Sequence, residues 1–587
     1  MATESAPEVR TSSTAATFGP EGAAAGGRWA RVPFGIHALA LLVLLLIGMP
    51  IVGTASSFSA DEGVAIMQAR QLARGDGWIM RDPFPALDPS GRDFPLELVD
   101  RGANGVAPYA KHPLYPVLLA AADRVGGVNA MIVLSILGTW CAALLAAALA
   151  RGFGFGRGLL ALWIVGAASP LFFDSYLVQA HTLAAAAFAL AVWAALRLRR
   201  RDGIDPLGTV ALLSGTALAI LLRSEAVLFV AGLGVALIVD AVRRRRPGAV
   251  VAIAVLGVTS AATLLVERRW IRHIVGAAVS APDAGVASVR GSGLGARWSA
   301  LRVTWFQPGY GGVTTAVMLL AAAALLVLIA SIGLRLGPRG SPLVVIGSVG
   351  AALLLVVRLF VGGFEPVPGL LIAFPAVLAL VALPFRRVWQ SGRAAVTAIG
   401  AAIGVAAVLA TEYPTGGGGE WGGRYFAIGI PLLVLLIVLT YRDRAPRLDG
   451  AARRVLPIAF AVGSVALSIT GLTALRSIHD TRRDVVAAVA SAAARTDAGD
   501  GGSPVVIARG GTLPRVAWSV LDDGRWQLRY GSVEPVLEQA AGLGVTEVVV
   551  ASPPGTEPVG AGGVVSAVSS TRTVRGWTIE TLELVPA

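Results

Sequence analysis

The chain is 587 residues long, 55% hydrophobic and only 14% charged, with a mean hydropathy of +0.71. That balance excludes one soluble core and implies a polytopic α-helical membrane protein. The net charge of +13 would suit a nucleic-acid ligand, but its arginines fall in short connections between apolar runs. There they report topology, and nucleic acid is excluded as a partner.

Residues 1–33, rich in Ala, Ser, Thr, Gly and Glu, read as a disordered cytoplasmic tail. Val32 to Ala60 contains no Asp, Glu, Lys or Arg, which is too long for a removable signal peptide and long enough to cross a bilayer. About thirteen spans are expected, near residues 34–53, 128–150, 158–173, 179–196, 207–222, 225–241, 248–266, 313–334, 341–361, 367–385, 394–411, 425–441 and 455–475. Backbone polar groups in lipid need partners within their own segment, so each span is expected to be a helix. Arg28 and Arg31, Arg151 and Arg157, Arg197 to Arg201, Arg243 to Arg246, Arg335 and Arg339, Arg386 to Arg393, and Arg442 to Arg454 mark every second connection. These connections are expected on the cytoplasmic side, which leaves the loop 54–127 and everything after Arg476 outside.

After Arg476 the composition changes. The stretches 504–508, 547–551 and 577–585 read as strands and 533–541 as a helix, giving a small extracytoplasmic α/β domain over 476–587 behind a membrane domain over 34–475. Cys141 is the only cysteine and lies within an apolar span, so no disulfide is expected.

The chemistry-bearing residues collect on the outer side. Asp61-Glu62 follows the first span, and Tyr109-Ala110-Lys111-His112-Pro113 closes the loop before the next. Lys111 is the only lysine among 49 Lys and Arg residues. A compact ammonium suits a phosphate oxygen where a planar guanidinium would change the fit, and a chance survivor in a loop is the alternative. Asp174 and His181, Arg223-Ser224-Glu225, Arg358, Glu365, Glu412, Glu420 and Arg424-Tyr425 lie on the same side. Ionisable groups at membrane depth are costly, so a one-sided set reads as a lined cavity. Each also has a plain structural alternative: Arg358 reaching head groups, Arg223 and Glu225 pairing with each other, His181 satisfied at the interface. Asp61 and Glu62 at a helix start also fit the helix dipole.

Ser59-Ala60-Asp61-Glu62-Gly63, Lys111-His112-Pro113-Leu114-Tyr115 and Trp421-Gly422-Gly423-Arg424-Tyr425 together resemble the C-type (GT-C) membrane glycosyltransferases. Among these the chain resembles the bacterial polyprenyl-phosphate-sugar transferases related to protein O-mannosyltransferases and aminoarabinose lipid A transferase. The resemblance covers residues 34–475 in topology and implies sugar transfer, with inversion, from a polyprenyl-phosphate donor to a cell-envelope glycan, lipid or protein outside the plasma membrane. It implies Asp61 as general base, assisted or not by Glu62, with Lys111, His112, Arg424, Tyr425, Arg358 and Arg223 towards the donor phosphate. Asp174, His181, Glu225 and Glu420 would be further cavity residues. Some relatives carry an acidic metal ligand where this chain has Ala110, so dependence on a divalent cation stays open, with Asp61, Glu62 and His112 as candidates.

Arginine, alanine and glycine usage points to a high-GC bacterial source. A transporter or flippase for a lipid-linked or anionic solute, and a non-catalytic envelope-assembly protein, are the competing classes. Single cysteines placed in the Asp61 loop and near Gly501 should both react with a membrane-impermeant thiol reagent from outside. Labelling on opposite sides would overturn this topology.

Overall fold

A computed structural model describes residues 32–82, 84–89, 93–96, 100–102, 105–107, 109, 112–200, 205–275, 293–310, 314–411, 421–496, 503–510, 512–521, 524–529 and 531–585. The expected tail, apart from residues 32 and 33, lies outside them. α1 (Phe34–Val52) presents Ile36, Leu39, Val43, Ile47 and Ile51 outward while Leu41 and Leu45 are buried, as suits a helix with lipid on one side. Helix α2 (Ala60–Arg74) follows, then a small antiparallel pair, β1 (Asp100–Gly102) and β2 (Gly105–Ala107). α3 (Leu114–Gly152) kinks at Gly126 and Gly127, where the backbone leaves helical geometry, so the expected span at 128–150 is its second limb.

The bundle continues through α4 (Leu159–Ala167), α5 (Pro170–Asp174), α6 (His181–Leu198), α7 (Pro206–Leu222), α8 (Glu225–Arg244) and α9 (Pro247–Val275). It then runs through α10 (Leu294–Leu301), α11 (Thr315–Leu336), α12 (Ser341–Arg358), α13 (Leu370–Ala373), α14 (Phe385–Gln390), α15 (Gly392–Thr411), α16 (Ile430–Arg444) and α17 (Gly450–Ala493). Among the described residues, nine segments are long and apolar enough to cross a membrane, with α11 and α12 taken together as Thr315–Arg358; α7 is apolar but shorter and is not one of the nine. Two expected spans are not continuous helices. The segment 158–173 breaks into α4 and α5 at Ala168-Ser169, where Pro170 lacks an N–H and opens a new helix. The segment 367–385 is a single turn, α13, followed by a 3₁₀ helix at Pro375–Ala382, because Pro368, Pro375 and Pro384 interrupt any longer α-ladder.

Small residues let the helices approach closely. A Cβ on Gly138 of α3 would lie 2.7 Å from the Leu183 backbone nitrogen of α6, and one on Gly232 of α8 would lie 2.7 Å from the Gly400 carbonyl oxygen of α15. At the end of the bundle opposite Asp61, buried Asp240 accepts from Arg199 Nε and Nη2 at 2.5 and 2.9 Å, and Asp443 accepts from Arg447 Nη2 and lies in an ion pair with Arg387. Asp240 and Asp443 are each matched by arginine there, which is the condition for keeping buried charges inside a fold.

The C-terminal region adds α18 (Leu513–Val516) and α19 (Glu534–Gly542) to a five-stranded sheet of β3 (Val505–Arg509), β4 (Arg525–Arg529), β5 (Glu547–Ser552), β6 (Val565–Val574) and β7 (Trp577–Leu584). The order is β4-β3-β5-β7-β6, parallel from β4 to β5 and antiparallel beyond. Alternation along the strands divides their side chains. Val506, Ala508, Val549, Ala551 and Ile579 join the core that runs on into the membrane bundle, whereas Val505, Ile507, Val548, Val550 and Leu582 pack with Val536, Leu537 and Ala540 of α19. The sheet is therefore covered on both faces, and its first apolar strands read as unbroken Val/Ile runs for that reason.

The two regions share a further element. α17 continues without interruption past residue 476 to Ala493, and α2 packs against α18 so closely that a Cβ on Gly63 would lie 1.7 Å from the Arg515 carbonyl oxygen. Gly63→Ala should therefore lower stability by about 1–3 kcal/mol through overpacking, read as a reduced thermal midpoint of the detergent-solubilised protein. An unchanged midpoint would show that the contact is not made.

Candidate active site

Ser59 is the N-cap of α2: its Oγ accepts from the Glu62 N–H at 3.3 Å, while Glu62 accepts in return from the Phe58 N–H at 3.3 Å and the Ser59 hydroxyl at 3.4 Å. This is a capping box built from Ser-x-x-Glu. It turns Glu62 inward, where the residue is 2% exposed, and leaves Asp61 on the open side with its side chain 24% exposed. The acidic pair therefore divides into a structural carboxylate and an accessible one. Gln179 holds the cap from across the bundle, its Nε2 donating to Ser59 Oγ at 2.9 Å.

Asp61 meets Arg424. Arg424 Nη1 donates to Asp61 Oδ2 at 3.3 Å, its Nη2 reaches the Tyr425 hydroxyl at 3.5 Å, and its guanidinium lies 5.2 Å from the Tyr425 ring centroid. The residues before it explain the placement. Gly422 and Gly423 both have positive φ, at 72° and 64°, and a Cβ on Gly422 would lie 2.5 Å from Pro170 Cγ. Glycine alone takes this double left-handed turn in so little space. Trp421, just before the turn, stacks on Phe173 of α5 at 5.3 Å, and Phe173 meets Phe58 edge-on at 5.3 Å. An aromatic ladder thus fixes the approach to α2, the end of α5 and the Trp-Gly-Gly-Arg turn against one another.

Other charged groups converge here. Arg223 forms a two-pronged pair with Glu225, its Nε donating at 2.9 Å and its Nη2 closer still, and both are buried at the junction of α7 and α8. His112 Nδ1 lies 3.0 Å from Glu267 Oε1 of α9. Buried Asp174, at the end of α5, has its carboxyl pushed up to about 8 by burial, against the pull of Arg424 and Arg223 and with a push from Glu62. Its Oδ2 has no hydrogen-bond partner among the described residues. Glu62 is likewise pushed up to about 7 by burial, opposed by the Phe58 N–H and by Arg482 of α17.

Of the residues singled out from sequence, Asp61, Glu62, His112, Asp174, Arg223, Glu225, Arg424 and Tyr425 come together at one end of the bundle through these contacts and fields. His181 is buried at the start of α6. Arg358 ends α12 and holds the segment after it, donating to the Val361 and Gly363 carbonyls at 2.8 Å each while lying over the Phe364 ring. Lys111 and Glu420 lie outside the described residues. Among the described residues no group of three His, Cys, Asp or Glu side chains is arranged to hold a metal. The candidates Asp61, Glu62 and His112 instead go separately to Arg424, the α2 cap and Glu267.

Sequence reasoning missed Glu267 and Arg482, and named Tyr109 only within its loop motif, without a role. Tyr109 is buried within the fields of Arg223, Asp61, Glu225 and Arg424, and Arg482 donates to the Ser57 carbonyl at 2.8 Å. Glu267 carried a usable signal as the only acid in an apolar helix.

No protein-family profile matches the chain, and no curated sequence does. Solved structures do. ArnT from Cupriavidus metallidurans in the apo state aligns over 94% of this chain and 98% of its own, at 14% identity and a TM-score of 0.53. The same protein bound to undecaprenyl phosphate aligns over the same shares, at 13% identity and 0.50. The oligosaccharyltransferase of Archaeoglobus fulgidus in the apo form aligns over 87% of this chain and 69% of its own, at 12% identity and 0.45. The chain thus shares the fold of ArnT from Cupriavidus metallidurans over its membrane bundle and C-terminal region together.

Burial of Glu62 has a measurable consequence. With its carboxyl raised from 4.5 to about 7, the folded state retains a proton that the unfolded state releases. Its contribution to stability is full below the ordinary value and is lost as pH rises through 7. Wild type should lose thermal midpoint relative to Glu62→Gln as pH is raised from about 4.5 to 8. A midpoint difference that stays constant over this range would contradict the buried, protonated state.

Proposed function

We propose that the protein is a membrane glycosyltransferase that moves one sugar from a polyprenyl-phosphate donor to an acceptor hydroxyl of the cell envelope, on the extracytoplasmic side of a bacterial plasma membrane. The observation that carries this reading is the Asp61–Arg424 pair, a partly exposed carboxylate 3.3 Å from a guanidinium at the converging end of the bundle. A base and an anion clamp side by side are what the displacement requires. The fold shared with ArnT, one of whose structures holds undecaprenyl phosphate, supports the donor class.

In the proposed reaction the acceptor oxygen attacks the anomeric carbon as Asp61 takes the hydroxyl proton. The new glycosidic bond forms while the bond from that carbon to the phosphate oxygen breaks, and polyprenyl phosphate leaves with its charge matched by Arg424. One displacement inverts the anomeric centre. Arg424 would turn from Asp61 towards the phosphate on donor binding, freeing the carboxylate to act as a base. Lys111 is proposed as a second phosphate contact from its sequence position alone. Arg223, already held by Glu225, would contribute field more than contact. Glu62 keeps the helix start that aims Asp61, and Asp174 in its protonated form would lend a neutral donor near Arg424.

Asp61→Asn keeps the size of the side chain and removes its basicity. Sugar transfer measured in a single turnover with saturating donor should fall by about 10²–10⁴-fold while donor affinity changes little. Glu62→Gln should cost less. Near-normal transfer by Asp61→Asn, or a larger chemical loss for Glu62→Gln, would overturn the assignment.

A further inference from the structure

A cavity of about 710 Å³ lies away from the Asp61–Arg424 pair, between the C-terminal half of α2 and the C-terminal domain. Met67, Arg70, Gln71 and Arg74, which follow one stripe of α2, line one wall. The segment Asp76–Arg81 and Trp518 form the rest. The wall is built rather than incidental. Gly75 ends α2 in the left-handed conformation and the chain turns back, held by Gln68 Nε2 on the Trp78 carbonyl at 3.1 Å and by Gln71 Nε2 on the Ile79 carbonyl at 2.8 Å. Trp78 is braced edge-on by Trp270 of α9 at 6.5 Å, and the Arg70 guanidinium lies 4.4 Å from the Trp518 ring centroid.

The chemistry of this lining is specific. Arg70, Arg74 and Arg81 line the cavity with a single acid, Asp76, beside the half-buried indole of Trp78 and the edge of buried Trp518, whose ring Arg70 covers. Planar guanidiniums bind carboxylates and phosphates in paired fashion, whereas indole faces take the apolar C–H face of a sugar ring. Neutral glycans do not need three cations, and a bare anion does not need the indole of Trp78. At 1.5 Å per residue, Arg70 and Arg74 stand about 13 and about 20 Å along α2 from Asp61, so a ligand here cannot be the reacting sugar. It can be a distant part of an extended acceptor whose near end reaches Asp61. The Gln68 side chain that holds Trp78 also accepts from the Tyr109 N–H at 3.3 Å, which ties this wall to the charged cluster.

We propose that this cavity is an acceptor subsite for an acidic saccharide, one bearing carboxylate or phosphate groups. The proposal rests on the transfer reading above for the word acceptor, and its test is a binding measurement that does not depend on transfer. Full-length protein in detergent is titrated calorimetrically with a tetragalacturonate, with cellotetraose as the neutral control, and with undecaprenyl phosphate. Tetragalacturonate should bind with an affinity that falls as salt rises, and cellotetraose should bind at least about tenfold more weakly, as expected for charge-assisted contacts. The double variant Arg74→Gln/Arg81→Gln changes two exposed side chains and should weaken tetragalacturonate by about tenfold or more while leaving undecaprenyl phosphate binding unchanged. Equal binding of the neutral glycan, equal affinity of the variant, no binding at all, or displacement of tetragalacturonate by phosphatidylglycerol nanodiscs would each overturn the proposal, the last by making the cavity a lipid-headgroup contact. Failure of the transfer reading would instead appear as absent undecaprenyl phosphate binding with the tetragalacturonate isotherm intact.

Discussion

A carboxylate and a guanidinium 363 positions apart in the chain, Asp61 and Arg424, meet at 3.3 Å at one end of the bundle. Holding charge in such a place is costly unless each group finds its complement, and the neighbourhood is organised around that condition. Arg223 answers Glu225, Glu267 answers His112, and the α2 cap answers Glu62. Asp174, with one oxygen unpaired among the described residues, answers the same constraint by holding its proton. The result is a cluster in which Asp61, partly open to solvent, is the acid best placed to change partner.

The apolar scaffold makes that pairing geometric as well as electrostatic. The Phe58–Phe173–Trp421 ladder and the two left-handed glycines set where the Arg424 backbone begins, so the reach of one side chain completes the contact. On the other strand of the arrangement, the capping box determines which of two adjacent acids turns outward. Rigid, dry packing supplies the precision, and the polar groups need only be placed upon it.

Much of this was legible in the chain because hydropathy and charge speak directly about membrane position. The long apolar runs and their arginine flanks located the helices, and the Asp61-Glu62 and Trp-Gly-Gly-Arg motifs located the pair. What averaging concealed were breaks: Pro170, Pro368 and Pro375 sit inside hydrophobic stretches and cut them without lowering hydropathy. β4 and β6 went unread because they are the two edges of the sheet, and an edge needs little apolar signal; β6 is largely exposed and rich in Ser and Thr. Glu267 was legible as the only acid in an apolar helix, but its pairing with His112, 155 positions away, is one no local pattern encodes. Which of Asp61 and Glu62 is buried depended on the reciprocal cap, which a Ser-x-x-Glu spacing permits but does not orient.

α17 runs unbroken for 44 residues from the membrane into the C-terminal region. Near the middle of its second half, His479 lies 3.1 Å from the Gly53 carbonyl and accepts the Ser56 hydroxyl on its own carbonyl at 2.8 Å, while Arg482 holds Ser57. The compositional boundary at 475/476 therefore cuts upstream of the residues that clasp the segment leading into α2. A truncated protein ending at that boundary would lose the clasp along with the sheet. Its inactivity would say nothing about whether the sheet touches a substrate, because the mechanical unit of this molecule and the unit suggested by amino-acid composition end at different residues.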